Sequence, residues 1–141
     1  MTAQVADRQV SQREGRAFRF PVAAATIIFE GSLVVRNGVV AQPGATAVGL
    51  VALGIAKSQA DNRLGAAGAI PVRYEAGCFH FNIDPADPVT LADVGNPVFI
   101  TDDNTICRTN GAGTKSQAGF LAAVDAHGVG TGAWVTVGVI V

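Results

Sequence analysis

Two cysteines and two histidines have the most versatile chemistry in this sequence, because thiolates and imidazoles are the usual ligands of zinc. Cys78 and His80 alternate onto one face of a predicted strand, and Cys107 and His127 could complete a four-ligand set. Structural zinc sites usually contain closely spaced pairs such as C-x2-C or H-x3-H, and neither pattern is present. We therefore predict no metal site, and we expect Cys78 and His80 to lie on a partly exposed face of mixed polarity.

The redox state of the two cysteines is a separate question. Cys78 and Cys107 fall in different predicted strands. In a reducing compartment we expect two small buried apolar side chains. A disulfide between them stays open, because connectivity cannot be deduced from the sequence.

Nucleophilic catalysis requires an oriented base and an oxyanion hole as well as a reactive side chain. A Cys and a His two positions apart do not supply them, and the sequence has no G-x-S-x-G motif. No serine has a neighbour that suggests an activated nucleophile; the serines are Ser11, Ser32, Ser58 and Ser116. We predict that the protein is not an enzyme and has no catalytic residue.

Paired carboxylates could hold calcium or cleave glycosides. The two pairs are Asp84 with Asp87 and Asp102 with Asp103, and both coincide with turn signals. Aspartate is favoured in turns because its side chain bonds the nearby backbone. No bidentate glutamate follows Asn104 as a calcium loop would require, so we predict turn chemistry at both pairs.

Phosphate and nucleic-acid sites also lack support. The glycine-rich residues 128–132 have no following Lys-Ser/Thr and lead into a predicted strand instead of a helix. Tyr74 and Trp134 stand alone, without the basic stripe that accompanies stacking aromatics in nucleic-acid binders. We predict no cofactor, no cofactor-binding residue and no nucleic-acid partner.

Short strands must position these residues. In residues 78–83, Phe79, Phe81 and Ile83 share one face while the polar residues share the other. Asn37-Gly38 predicts a hairpin through a type I′ turn. Thr90, with Asp93 at the reciprocal capping position, predicts one short helical turn. The last predicted strand spans residues 133–141, and residues 61–68 are a predicted loop.

The composition indicates the same fold class. The chain has 141 residues, 49% hydrophobic and 15% charged, with 17 Gly and 6 Pro. This excludes a disordered chain and allows one domain with a sizeable core. Roughly eight to ten strands at regular spacing favour an all-β, single-domain antiparallel sandwich or barrel. We see no internal repeat of fixed period.

Neither hydrophobic window fits a membrane protein. Residues 37–56 carry no charge, but a proline, several glycines and the Asn37-Gly38 turn interrupt them. Residues 20–29 follow a run of arginines but lack a good signal-cleavage site. The net charge of −1 gives no general attraction to anionic lipid. We expect a soluble intracellular protein with its start intact and no membrane partner.

The sequence divides at residue 17. Residues 1–16 contain three arginines against two acids and few large apolar residues. They form a predicted arm, either a solvated tail or a segment ordered by a neighbouring protein, which is the functional alternative that we favour. Residues 17–141 form the predicted β-sandwich domain.

The order of turns and strands resembles the small structural proteins that decorate or cement the heads of tailed bacteriophages and prophages. The likeness spans residues 26–137 and is carried by residues 31–34, 37–38, 49–56, 61–62, 65–68, 76–81, 90–105, 118–125 and 134–135. It implies a jelly-roll-like β-sandwich on the virion surface, made in the host cytoplasm. The implied partner is the major capsid protein, whose neighbouring subunits the protein would staple together.

This resemblance supplies no catalytic motif. For self-association we favour a homodimer over a trimer, because two-fold contacts are the commonest. Two alternatives remain: another virion component, such as a tail or fibre-base protein, and a small β-barrel ligand-binding module. The module predicts a deep pocket near His80.

Overall fold

The structure, a computed structural model, describes Ala6, residues 17–125 and residues 132–138. The predicted arm, residues 1–16, lies outside this range except for the exposed Ala6. The regular elements of the described residues are all strands, apart from one 3₁₀ turn at Leu91–Asp93. The all-β prediction is confirmed. None of the described residues forms a helix long and apolar enough to cross a membrane.

The first half of the chain forms a five-stranded antiparallel sheet and a separate strand pair. Its strands are β1 (Ala17–Pro21), β2 (Thr26–Ile28), β3 (Leu33–Asn37), β4 (Val40–Pro43), β5 (Val51–Ala56), β6 (Ala60–Asn62) and β7 (Pro71–Glu75). The sheet has the order β1-β7-β5-β3-β4, and β2 pairs with β6. A single parallel bridge between Val22 and Ala41 joins the two sheet edges. The sheet therefore curls into an almost closed barrel.

The second half forms a fully closed five-stranded barrel. Its strands are β8 (Gly77–Ile83), β9 (Pro97–Ile100), β10 (Thr105–Cys107), β11 (Gln117–Val124) and β12 (Gly132–Val137). The order around the ring is β10-β8-β12-β11-β9. A closed ring with an odd number of strands cannot be antiparallel at every step. The parallel step falls between β10 and β8, and all other neighbours in the ring are antiparallel.

The two halves have the same topology, although the sequence shows no repeat of fixed period. If β2 and β6 are set aside, each half has five strands, and their order around the ring is first, fifth, fourth, second, third. In both halves the first and third strands meet in parallel, and all other neighbours are antiparallel. The two halves thus share one strand arrangement, which is closed in the second half and nearly closed in the first.

Strand β3 is the wall between the two barrels. Leu33, Val34 and Val35 are all fully buried, which is typical of a strand covered on both faces. Val34 packs into the core of the first half, with Val22 and Val72. Leu33 and Val35 point the opposite way and pack into the core of the closed barrel. Burial on both faces of β3 therefore couples the two halves.

Glycines occupy matching places in the two barrels. Gly54 on β5 pairs with Val34, and Gly119 on β11 pairs with Val98, next to a register shift in each case. A Cβ added at Gly54 would run into the carbonyl oxygen of Glu75, and one at Gly119 into that of Thr136. The fourth strand of each ring therefore needs a glycine where the fifth strand comes close.

Several local predictions can be compared with the structure. The Asn37-Gly38 hairpin is present as β3–β4, but the prediction of a type I′ turn is wrong. Because Asn37 pairs with Val40, the central residues are Gly38 and Val39. Of these only Gly38 has a positive φ, 64°, which is the type II′ pattern. The loop predicted for residues 61–68 begins late, since Asp61 and Asn62 still belong to β6.

The predicted capping turn is present. The Asp93 carboxylate accepts a hydrogen bond of 2.8 Å from the backbone amide of Thr90 and one of 3.1 Å from Arg108. The first of these bonds is the main cause of the lowered pKa of Asp93, and the guanidinium of Arg108 adds to it against the opposing effect of burial. Asp93 therefore stabilises the fold in its charged form.

Replacing Asp93 by Asn should lower the free energy of unfolding by about 0.5–2 kcal/mol at neutral pH, the usual effect of losing a cap. Because the folded-state pKa is depressed, the carboxylate's contribution is present above the unfolded pKa and is lost as the pH falls through the folded one. Denaturant unfolding at neutral and acid pH should therefore show the two proteins converging in acid. Glu30→Gln is the control, since Glu30 is exposed and makes no hydrogen bond with the described residues. Equal stability of wild type and Asp93→Asn at neutral pH would contradict the role of the cap.

Candidate interaction surface

The cysteines and His80 lie on strands of the closed barrel, some facing its core and others facing outward. Along β8 the alternation of residues 78–83 is confirmed: Cys78 and His80 are exposed, while Phe81 is buried. Cys107, on β10, is fully buried. Both thiols are free. The expected burial is therefore confirmed for Cys107 and wrong for Cys78. The partly exposed face expected for Cys78 and His80 is confirmed, because both alternate with the buried Phe81 along β8.

The strand register keeps the two cysteines apart. On β8 the partner of Thr105 is Asn82 and that of Ile106 is Ile83. Cys107 therefore lies beyond the last residue of β8, while Cys78 is near its first. Several residues of extended chain, at about 3.3 Å each, exceed the Cα separation that a disulfide tolerates. The bridge left open by the sequence does not form in this fold.

His80 belongs to a small polar cluster on the outside of the barrel. Its Nε2 lies 2.8 Å from an oxygen of Asp125, and its ring meets Trp134 edge to face at 5.2 Å. The His80 hydrogen bond is the main cause of the lowered pKa of Asp125, and the amide of Gly132 and the indole of Trp134 act in the same direction. The cluster ties the end of β11 to β12 and β8.

The paired aspartates accept hydrogen bonds from backbone amides and hydroxyl groups of the same chain. Asp84 and Asp102 each accept a hydrogen bond of 2.9 Å from the backbone amide two residues further along. Turn chemistry is therefore confirmed for these two. Asp87 instead accepts hydrogen bonds from the amide and hydroxyl of a threonine beyond β10, at 2.9 and 2.6 Å. Asp103 accepts one from a serine hydroxyl at 3.3 Å. These last two hold separate segments together.

No group of three or more His, Cys, Asp or Glu side chains within residues 17–125 and 132–138 could hold a metal ion. His127 lies outside the described residues, so the four-ligand set suggested by the sequence is only partly visible. Of the glycine-rich residues 128–132, only Gly132 is described, and it begins a strand.

The closed barrel exposes aromatic side chains on adjacent strands. Phe120 on β11 pairs with Thr136 on β12, which pairs with Cys78 on β8. Trp134 pairs with His80 in the neighbouring row. Phe120 is 52% and Trp134 is 41% exposed. We call these five outward-facing residues the barrel face; it presents two large aromatic groups on a rigid sheet.

A shallow groove continues from the barrel face toward the first half of the molecule. It has a volume of about 360 Å³. Its lining consists of Leu50, Val51, Ala52, Gln117, Ala118, Gly119, Phe120, Thr136 and Gly138. Val51, on the first-half side of the groove, is 43% exposed. This β5–β11 groove and the barrel face share Phe120 and Thr136, and together they form one continuous surface.

Comparison of the chain with protein-family models, with curated proteins and with solved structures finds no match. The molecule is an all-β protein with one closed and one nearly closed five-stranded barrel, and Phe120 and Trp134 are exposed on the outer face of the closed one.

Sequence reasoning missed the barrel face because its residues come from separate strands. The residues 78–83 alternation and the isolated Trp134 were visible, but their pairing with Phe120 depends on strand order. Phe120 itself carried a weak signal. It is a large aromatic residue with the small Ala118 and Ala122 two positions away on either side.

Proposed function

We propose that this protein is a structural virion protein that binds the outer surface of an icosahedral phage head and staples neighbouring major capsid subunits. The observation that carries the proposal is the continuous surface that the barrel face and the β5–β11 groove form around the exposed side chains of Phe120, Trp134 and Val51. Exposed aromatic residues on a rigid sheet are typical anchors of protein–protein contacts. The sequence resemblance to head decoration proteins agrees with this use of the surface.

The shape of the surface favours a protein partner over a small ligand. A metabolite site usually encloses most of its ligand in a concave pocket, whereas the β5–β11 groove is shallow and borders the flat barrel face. The ligand-binding alternative predicted a deep pocket near His80. That side chain is instead exposed on the outside of the barrel, where it bonds Asp125.

Stapling requires more than one contact per molecule. A standard protein interface buries about 800 Å² on each partner, and linking two contacts raises overall affinity through effective concentration. Two barrels fixed together by β3 supply a rigid spacer between such contacts. A homodimer, favoured over a trimer, would double their number. A tail or fibre-base location remains the alternative within the virion.

Replacing Phe120 by Ser should weaken binding to heads about tenfold or more, because a half-exposed aromatic anchor contributes mainly when the partner covers it. Co-sedimentation with heads that lack the protein measures this effect. The heads come from the phage or prophage that encodes the chain. Leu64→Ser is the matched control, since Leu64 is fully exposed on a loop of the other half.

Wild-type protein should bind these heads in near-stoichiometric proportion to the coat protein. Failure of the wild type to sediment with heads would overturn the proposed function. Equal weakening by Phe120→Ser and Leu64→Ser would show that the barrel face is not the contact.

A further inference from the structure

Three cations form a row across the outer face of the first barrel. Arg19 on β1 pairs directly with Arg73 on β7. Lys57 follows the last residue of β5, and its amide donates a 2.9 Å hydrogen bond to the carbonyl oxygen of Arg73. The three residues are exposed and share one face of the sheet. They therefore span two strand spacings, about 10 Å.

Such a row is unfavourable in an isolated protein. Like charges directly opposite each other on antiparallel strands destabilise the pair. Neither Arg19 nor Arg73 has an ion-pair partner within the described part of the chain. Lys57 lies 3.9 Å from the Glu75 carboxylate, with both side chains substantially exposed. Three positive charges thus face one negative charge in a protein whose net charge is −1.

The row borders a concave surface. A depression of about 440 Å³ is lined by the three cations together with Ala17, Phe18, Tyr74 and Glu75. The rings of Phe18 and Tyr74 pack against each other with centroids 6.2 Å apart. The cations are therefore gathered around a depression instead of being scattered over a convex surface.

We propose that Arg19, Arg73 and Lys57 form a docking site for an acidic protein surface that presents two or more carboxylates. Arginine suits such a partner because its planar guanidinium can bind a carboxylate through two parallel hydrogen bonds. The site lies on the first barrel, away from the barrel face. It does not rest on the proposed capsid contact.

A carboxylate-bearing protein fits this site better than a nucleic acid. Glu75 sits within the row, where it would repel a uniform phosphate backbone but can pair with a basic residue on a mixed-charge protein surface. Nucleic-acid binders usually combine a basic stripe with a basic overall charge, and this chain is slightly acidic. The Tyr74 side chain is also partly buried against the core of the first half, so it is not an open stacking platform.

The test uses a fluorescent glutamate-rich peptide that contains one lysine to pair with Glu75, and a fluorescent DNA duplex of equal net charge, each titrated with the full chain at low and moderate salt. We expect the peptide to bind, with an affinity that falls as salt rises. The double variant Arg19→Gln, Arg73→Gln should weaken peptide binding about tenfold. Arg63→Gln is the matched control, because Arg63 is exposed but already paired with Asp61 at 2.8 Å.

A second measurement separates loss of a site from loss of the fold. Removing one of two opposed like charges relieves repulsion, so the single variant Arg73→Gln should raise Tm by roughly 1–4 °C while weakening peptide binding. Unchanged peptide binding in the double variant would overturn the proposal, as would equal weakening in the Arg63→Gln control. Tighter binding of the DNA duplex than of the peptide, lost in the double variant, would assign the site to nucleic acid instead.

Discussion

Deletion of residues 134–141 should abolish cooperative folding of the second half. The deletion removes most of β12, which pairs with β8 on one side and β11 on the other. The closed ring would then open at two edges, and the buried side chains of Val135 and Val137 would leave the core. Loss of a central strand costs far more than the few kcal/mol by which such domains are stable. Circular dichroism and thermal unfolding should show no cooperative transition for the second half.

The control for this deletion keeps the strand and removes only an exposed side chain. Trp134→Thr leaves the β12 backbone intact and places a β-branched residue on the outer face. It should fold and unfold cooperatively. A truncated protein that stays soluble and cooperatively folded would contradict the barrel closure described above.

Valine in place of Gly119 should lower the free energy of unfolding by about 3 kcal/mol or more, at the upper end of overpacking effects. The reason is that the new Cβ meets a backbone carbonyl, which cannot move without breaking the β11–β12 ladder. Gly54→Val should have an effect of similar size, since its Cβ meets the carbonyl of Glu75. Denaturant unfolding curves of the two variants measure both effects.

Ala122→Val provides the comparison for the glycine variants. Ala122 is exposed on the same strand as Gly119, so the same larger side chain should change the stability little. Equal stability of Gly119→Val and Ala122→Val would contradict the claim that the close approach of β12 requires a glycine at position 119. A large loss at Gly119 and none at Gly54 would contradict the equivalence of the two barrels.

The features that the sequence predicted are local ones. The alternation in residues 78–83 is encoded by neighbours two positions apart, and the capping turn depends on Thr90 and Asp93, three positions apart. Turn bonding by Asp84 and Asp102 involves the amide two residues ahead. In each case the relevant interaction fits within a few residues, so its signal is visible without knowledge of strand order.

The features that the sequence did not predict depend on pairing between distant strands. Arg19 and Arg73 become neighbours only because β1 pairs with β7, and Phe120 meets Thr136 only when β11 pairs with β12. The shared topology of the two halves is carried by pairing order and by Gly54 and Gly119, with no repeated sequence of fixed period. The type of the turn at Gly38 also depends on strand register. Because Asn37 pairs with Val40, the two central residues are Gly38 and Val39 instead of the Asn37-Gly38 pair that the sequence predicts.

The two halves of the molecule carry surfaces of different chemistry. The second barrel offers exposed aromatic residues, which gain most from burial of apolar area. The first barrel offers a row of cations, which act through charge complementarity and speed encounter more than they add affinity. A protein that links neighbouring subunits would use both, provided that the halves keep a fixed spacing. The doubly buried strand β3 supplies that rigidity.

An electron cryo-microscopy map of the assembled phage head tests the central claim most directly. We predict density for this chain on the outer surface of the shell, in contact with more than one major capsid subunit. The barrel face around Phe120 should lie against the coat. Density for the chain inside the shell, on the tail only, or nowhere in the purified particle would contradict the proposal.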